Sequence, residues 1–407
     1  MNTIKVKKHK GAITYPRGFL ASGLYCGIKK NKNKKDLALV YSVVPAVAAA
    51  CFTRNRITAW PVKYSKKVIS NTYHRAIITN SGNANCYTSA KGKETVDETI
   101  AFLAKELGIS KKEILVCSTG IIGKVLDPLL IVSSIPELCF NISPKGGDDA
   151  AAAMLTTDTV TKQVIGQCNI GGKQVRIGAM AKGVGMMKPN MATMLAYITT
   201  DCAISKNILQ RAIREIVDET FNAISVDNDT STNDTVFIMA NGLAKNPKIT
   251  GAGKGLDAFK KTLFNVCREL ASMMVHDGEG TSRVCLVTMK GAKTQQQAKE
   301  GAQAIADSML FKTALAGADP NWGRIVAAIG AKRSVACNVE KLDLKFGPVS
   351  IIRNGTLLNY DKKRAKFEFS KKDVEITVDL KSGRATTQFL TSDLTKKYVE
   401  INAEYTT

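Results

Sequence analysis

Short apolar runs alternate along this chain with stretches of helical periodicity, a pattern typical of α/β proteins in which mixed sheets are packed with helices. One helix is predicted by apolar residues at helical spacing followed by a glycine, namely Val96, Ile100, Leu103, Leu107 and then Gly108. A second helix is predicted by the stripe Phe259, Leu263, Val266, Leu270 and Met273. We therefore predict an α/β fold.

Strands are predicted by the remaining apolar runs. The run 37–52 is shorter than the roughly 18 uninterrupted apolar residues that a transmembrane helix needs, so it predicts a buried strand. Residues 163–169 and 173–177 flank two glycines, which predicts a hairpin. Apolar residues alternate with polar ones along 374–378, the pattern of a strand with one solvated face. A structural domain boundary near residue 290 is expected from composition alone.

The high positive charge suggests nucleic-acid binding, which the rest of the sequence disfavours. The 407 residues carry a formal net charge of +23, which is typical of proteins that bind nucleic acid. The densest lysine run, 29–35, contains no aromatic residue to stack on bases, and the other lysines are spread along the chain. A solvated basic surface is therefore favoured, and no nucleic-acid partner is expected.

Cysteine and histidine usage gives no sign of a metal site. The ten cysteines form no CxxC pairs, and the chain has only three histidines, so no zinc-ligand spacing is present. Cys117 precedes a Ser-Thr-Gly sequence and is a candidate nucleophile, but no histidine is near it in sequence. The basic start of the chain is not followed by an apolar segment, so we expect a cytoplasmic protein with no membrane partner.

The most informative chemistry lies in KGVGMMKPNMATML at 182–195. If the bond between Ala192 and Thr193 breaks, the free amine of Thr193 can take the proton of its own hydroxyl, which activates that hydroxyl as a nucleophile. The small Ala192 leaves room for the hydroxyl to reach the preceding carbonyl, and Pro189 favours a held turn. By local chemistry alone, an ordinary Gly/Pro loop before a strand at 195–200 is the stronger alternative.

The wider sequence changes that balance. The segment 182–195 resembles the self-processing region of the ornithine acetyltransferase family, also called the glutamate N-acetyltransferase family, whose members cleave at an Ala–Thr bond. Further blocks resemble this family in the same order along the chain: NSGNAN at 80–85, STGIIG at 118–123, TTDT at 156–159, DTSTNDT at 229–235, DGEG at 277–280, GADPNWGR at 317–324 and NAEYTT at 402–407. So many ordered blocks make the resemblance specific.

The resemblance implies that the chain cuts itself between Ala192 and Thr193 into an alpha chain, 1–192, and a beta chain, 193–407, which share one core. It implies Thr193 as nucleophile and Thr119 with Gly120 as the oxyanion hole, roles that suit a hydroxyl beside an unhindered glycine N–H. The substrate-binding residues that it implies are Thr156, Lys182, Thr193, Glu279, Asn402 and Thr407. Thr157 stays open as the alternative to Thr156, and a helix-capping role stays open for Glu279.

The implied reaction is transfer of acetyl from N-acetylornithine to glutamate through acetyl-Thr193, in arginine biosynthesis, with no cofactor and no metal. Acetyl-CoA stays open as a second donor, which would make the enzyme bifunctional. The alpha and beta chains are expected to associate as a heterotetramer with two of each. An N-terminal-nucleophile amidohydrolase or peptidase, which passes the acyl group to water, is the alternative.

Overall fold

The computed structural model describes residues 5–188 and 194–404. Within these ranges the strands are β1 Lys5–Lys8, β2 Phe19–Leu24, β3 Leu37–Phe52, β4 His74–Asn83, β5 Ile114–Ile121, β6 Lys162–Ile170, β7 Lys173–Lys182, β8 Leu195–Thr200, β9 Ile224–Ser225, β10 Thr235–Ala240, β11 Val284–Ala292, β12 Asp343–Phe346, β13 Val349–Arg353, β14 Thr356–Leu357, β15 Asp373–Asp379 and β16 Ala385–Ser392. They form two sheets.

The helices of the same ranges are α1 Trp60–Val68, α2 Ser89–Leu107, α3 Pro128–Val132, α4 Ile135–Phe140, α5 Gly147–Met154, α6 Lys206–Glu219, α7 Lys254–His276, α8 Gln295–Ala306, α9 Met309–Ala316, α10 Trp322–Gly330, α11 Lys362–Ser370 and α12 Lys396–Glu404. Short 3-10 turns occupy Ala12–Thr14, Lys111–Glu113 and Phe221–Ala223. Mixed sheets packed with helices confirm the predicted α/β class. None of the described helices is both long enough and apolar enough to cross a membrane.

The first sheet has nine strands in the order β1-β6-β7-β8-β10-β3-β4-β5, with β2 also paired to β3. Strand β8 is antiparallel to β7 and parallel to β10, and β10 is antiparallel to β3. Every residue of β8 and β10 is buried, as expected of central strands covered on both faces. Two strands that follow residue 193 therefore lie between strands that precede it.

Helices cover both faces of this sheet because their apolar stripes pack against it. Helices α6 and α7 bury Ile213 and Leu263 against one face, together with Ile198 and Ile238 of the central strands. Helix α5 packs on the other face beside Tyr197. The sheet is thus rigidly supported where the β5 and β7 ends carry site residues.

The second sheet has seven strands in the order β14-β13-β12-β15-β11-β16-β9, and helices α8 to α11 pack with it around a separate apolar cluster. The chain leaves α7 at His276 and begins the central strand β11 at Val284. Residue 290, near which the composition changes, lies inside β11, which pairs with both β15 and β16.

The predicted elements match the observed ones closely. The strand predicted at 37–52 is β3, the hairpin is formed by β6 and β7, and the two predicted helices lie within α2 and α7. Gly108 ends α2 in the left-handed conformation, with φ of 62°. Thr119 and Gly120 lie near the carboxyl end of β5, which ends at Ile121.

Candidate active site

A polar cavity of about 230 Å³ opens where the ends of β5 and β7 approach the segments that follow α5 and α7. Six of the predicted site residues line it, namely Thr119, Gly120, Thr156, Lys182, Glu279 and Asn402, as does Thr157, the alternative to Thr156. The fold thus brings together residues as far apart in the chain as Thr119 and Asn402. Ala192, Thr193 and Thr407 lie outside the described residues.

Gly120 is required by backbone geometry. Its φ is 129°, a conformation that residues with a side chain rarely adopt. A Cβ atom there would lie 2.3 Å from the carbonyl carbon of Gly82, the residue opposite it on β4. Close approach of the two strands therefore excludes every other residue type at this position. Because glycine has no side chain, the Gly120 backbone itself forms part of the cavity wall.

Lys182 ends β7 and places a buried ammonium beside two hydroxyls. The side chain is almost fully buried, and Nζ donates to Oγ1 of Thr156 at 2.8 Å and to Oγ1 of Thr119 at 3.4 Å. Burial lowers the pKa of Lys182, and the nearby carboxylate of Asp158 opposes that effect. Because an ammonium only donates, the Thr119 oxygen accepts, which leaves its own hydrogen available for a substrate oxygen.

Asp158 supplies the counter-charge for this buried cation. Its Oδ1 accepts from Nζ of Lys162 at 2.7 Å and from the Gly183 amide at 2.8 Å, while Oδ2 lies 3.8 Å from Nζ of Lys182. Burial acts to raise the pKa of Asp158, but Lys182, Lys162 and the hydrogen bonds outweigh it and lower the pKa to about 2. Asp158 is therefore an anion at neutral pH beneath the cavity.

Glu279 forms the opposite wall. Its amide donates to the carbonyl of Val184 at 2.9 Å, which fixes the backbone against the segment after β7. The carboxylate accepts from Oγ1 of Thr157 at 2.7 Å and from Nδ2 of Asn402 at 2.9 Å. These contacts face the cavity and none of them caps α7. The two adjacent threonines therefore have different partners: Thr156 accepts a hydrogen bond from Lys182, and Thr157 donates one to Glu279.

Several residues of the site were missed by sequence reasoning. Asp227, Asp229 and Tyr398 line the cavity, and Asp158 lies beneath it. Burial, and then the acidic groups Asp227, Glu279 and Asp229, raise the pKa of Tyr398. Asp158 lies inside the TTDT block and Asp229 inside DTSTNDT, so the resemblance contained a signal for both. Tyr398 lay outside every block, and only its position on α12 reveals it.

Cys117 is not placed for catalysis. It is buried in β5, does not line the polar cavity, and burial raises the pKa of its thiol to about 12. A thiol that stays protonated is a poor nucleophile. Across residues 5–188 and 194–404, no group of three or more His, Cys, Asp or Glu side chains is arranged to hold a metal ion.

The fold and cavity define a mixed α/β protein in which a buried cation, Lys182, and a carboxylate, Glu279, line one cavity. The ArgJ family profile matches residues 20–407. The chain is 41% identical over 401 residues to the arginine biosynthesis bifunctional protein ArgJ of Caldanaerobacter subterraneus, covering 98% of this chain and 99% of that protein. It is 42% identical over 411 residues to the glutamate N-acetyltransferase of Methanocaldococcus jannaschii, with coverage of 98% and 99%.

A crystal structure of the arginine biosynthesis bifunctional protein ArgJ from Bacillus halodurans is also similar, with 40% identity and a TM-score of 0.50. The match covers 98% of the crystallised chain but only 51% of this chain. The chain belongs to the ArgJ family, which confirms the resemblance found in the sequence. Its activity is acetyl transfer in arginine biosynthesis.

Proposed function

We propose that the enzyme moves acetyl from N-acetylornithine to glutamate through an acetyl ester on Thr193. The observation that carries this proposal is the cavity in which a buried cation, Lys182, faces a carboxylate, Glu279. An amino acid presents a carboxylate and an ammonium, and these two walls offer a partner for each. In the first half-reaction the Thr193 oxygen bonds to the acetyl carbon, the amide C–N bond breaks and ornithine leaves with the proton. Glutamate nitrogen then displaces the ester oxygen.

Self-cleavage would create the nucleophile. The Thr193 hydroxyl oxygen adds to the Ala192 carbonyl carbon, the amide C–N bond breaks, and the hydroxyl proton passes to the freed amine. Water then hydrolyses the resulting ester, giving a carboxylate on Ala192 and restoring the hydroxyl.

Two observations support self-cleavage. Relatives match over their whole length, whereas the Bacillus halodurans crystal chain spans about half of this one, as expected for one of two pieces near 192 and 215 residues.

The two pieces would remain together. Strands β8 and β10, which follow residue 193, lie between β7 and β3, which precede it, so separating the pieces would expose both sides of the central strands. We extend the proposal to a heterotetramer with two alpha and two beta chains. The location in the cytoplasm and the use of acetyl-CoA as a second donor stay predictions from the sequence.

Within this reaction, Thr119 and Gly120 would hold the oxyanion of the tetrahedral intermediate. The Thr119 hydrogen is available because Lys182 already donates to its oxygen. Lys182 and Thr156 would bind a substrate carboxylate, and Glu279 with Asn402 a substrate ammonium. Thr193 and Thr407 complete the predicted substrate contacts.

Intact mass and acetyl labelling test the proposal together. Purified protein should give two masses, for 1–192 and 193–407, and Thr193→Ala should give only the full-length mass. Thr193→Ser is the matched control and should still cut. After incubation with N-acetylornithine alone and acid quenching, the peptide that begins at Thr193 should gain one acetyl group. An active enzyme of full-length mass only would refute self-cleavage.

The hydrolase alternative is separated by its product. An N-terminal-nucleophile amidohydrolase or peptidase would release free acetate from N-acetylornithine whether or not glutamate is present. We expect N-acetylglutamate instead, with parallel lines in double-reciprocal plots, because one product leaves before the second substrate reacts. Intersecting lines without an acetylated peptide would indicate direct transfer between two bound substrates.

A further inference from the structure

One short segment, 226–235, holds the chain on the upstream side of the predicted cleavage site. The Val226 amide donates to the carbonyl of Met187 at 2.9 Å. The carboxylate of Asp227 accepts from two successive amides, that of Met187 at 2.7 Å and that of Met186. Met186 has a φ of 55°, unusual for a residue with a side chain, so these bonds hold a backbone shape that is otherwise disfavoured.

The same segment holds the downstream side in a matching way. The Thr235 amide donates to the carbonyl of Met194 at 3.1 Å, and Oδ1 of Asp234 accepts from the Met194 amide at 2.9 Å. Asp234 and Met194 are each only 1% exposed. Each side is thus fixed by one backbone hydrogen bond and one aspartate that receives backbone N–H groups.

We propose that segment 226–235 is a clamp in which Asp227 and Asp234 act as positioning residues for self-cleavage. The inference rests on the proposed cleavage at Ala192–Thr193. An attack of a hydroxyl on the preceding carbonyl needs a geometry that a free chain seldom visits, and fixing both ends of a short stretch raises the fraction of time spent there. Met187 and Met194 are the fixed ends, and 188–193 is the stretch between them.

Burial explains why carboxyl groups suit this role. Burial raises the pKa of both Asp227 and Asp234. The amides of Met187, Met186 and Asp229 oppose that rise at Asp227, and the Met194 amide opposes it at Asp234 together with Ser231 and Lys182. The loop amides thus contribute to the solvation of both aspartates, so loop and clamp stabilise one another. After cleavage, Asp227 would hold the end of the alpha chain and Asp234 the start of the beta chain.

The test follows cutting over time in protein made by pulse-labelled cell-free synthesis. Asp227→Ala and Asp234→Ala should each cut roughly ten- to a hundredfold more slowly, the effect of leaving buried backbone N–H groups without their acceptor. Asp234→Asn keeps an oxygen that can accept from the Met194 amide and should cut within about threefold of the parent. Asp227→Asn has one such oxygen for two amides, so it should cut distinctly more slowly. This asymmetry is not expected of residues that only stabilise the fold.

Asp343→Ala is the matched control. Asp343 also accepts a backbone amide, that of Asn354 at 2.7 Å, and pairs with Lys381, but it lies in β12 of the second sheet. It should cut at the parental rate, and melting curves of all variants should show that cutting is measured on folded protein.

The possible failures are distinguishable. If the parent cuts and Thr193→Ala does not, but both alanine variants cut within about twofold of the parent, the clamp is wrong and the proposed function stands. If the parent itself stays whole, the cleavage proposal fails first. Should an alanine variant not fold, the asparagine pair decides, because parental cutting by Asp227→Asn or strongly slowed cutting by Asp234→Asn would overturn the clamp.

Discussion

The cavity has two halves that are built differently. The first half, around Lys182, contains Thr119 and Lys182, each 3% exposed and fixed at the ends of sheet strands. The second half, around Glu279, contains Thr157 and Glu279, which are partly exposed, and Asn402, which is exposed on α12. Thr119 and Lys182 therefore have the environment of a protein interior, and the residues around Glu279 have that of a surface.

This difference decides how each charge is stabilised. A buried ammonium loses most of its hydration, so Lys182 needs Asp158 close by, and Asp158 in turn is shared with Lys162. Glu279 retains contact with solvent and needs only the hydroxyl of Thr157 and the amide of Asn402. We infer that substitutions of the buried pair Thr119 and Lys182 have large effects, and that substitutions of the residues that hydrogen-bond Glu279 have small ones.

Removing the buried cation should have the largest effect. We expect Lys182→Met to lower acetyl transfer by about a thousandfold, because the substrate carboxylate loses its partner and the two hydroxyls lose their donor. Lys162→Met is the control: it removes the other lysine on Asp158 but does not line the cavity, so it should lower Tm while reducing transfer by the folded enzyme much less. Equal losses of transfer would contradict the direct role of Lys182.

Thr119→Ala should have the second-largest effect. We expect kcat to fall roughly a hundredfold, which is typical for removing one oxyanion donor. Steady-state kinetics should show little change in KM, since the hydroxyl acts mainly in the transition state. Thr119→Ser keeps the hydroxyl and should retain most of the activity. A rate for Thr119→Ala within about twofold of the parent would remove this residue from the role.

Acid should lower the stability that the charged Asp158 gives to the fold around Lys182. The pKa of Asp158 is lower in the fold than in the unfolded chain, so its charged form contributes stability that is present above the unfolded pKa and is lost as pH falls from about 5 towards 2. The shift from 3.8 to about 2 corresponds to roughly 2 kcal/mol in the free energy of unfolding. Asp158→Asn should therefore have a lower Tm than the parent at pH 7, and the gap should shrink at pH 3. A constant gap would contradict this assignment.

The smallest effects should come from the exposed wall. Asn402→Ala and Thr157→Val each remove one hydrogen bond to Glu279, and we expect each to raise KM for N-acetylornithine by roughly two- to tenfold with kcat nearly unchanged. Comparing both with Glu279→Gln, which keeps the shape but not the charge, separates orientation from charge. If Asn402→Ala matched Lys182→Met in its loss of transfer, the proposed difference between the halves would be wrong.

Local sequence patterns were enough for much of the fold. Strand β3 was predicted from its apolar run and α2 from its stripe and the terminal Gly108, because periodicity and glycine conformations act over a few residues. The order of strands in the first sheet was not predictable in this way. Placing β8 and β10 between β7 and β3 depends on pairing between residues far apart in the chain.

The sequence by itself determined the family, the Ala192–Thr193 pair and six residues that line the cavity. It did so because chemistry that needs a particular residue type leaves that type in a recognisable block. Only the tertiary structure decided that Thr156 serves Lys182 while Thr157 serves Glu279, since adjacent residues in an irregular segment can point in opposite directions. It also decided that Asp227 and Asp234 receive the amides on either side of the predicted cleavage site, because such hydrogen bonds join segments some 40 residues apart and leave no periodic trace in the chain.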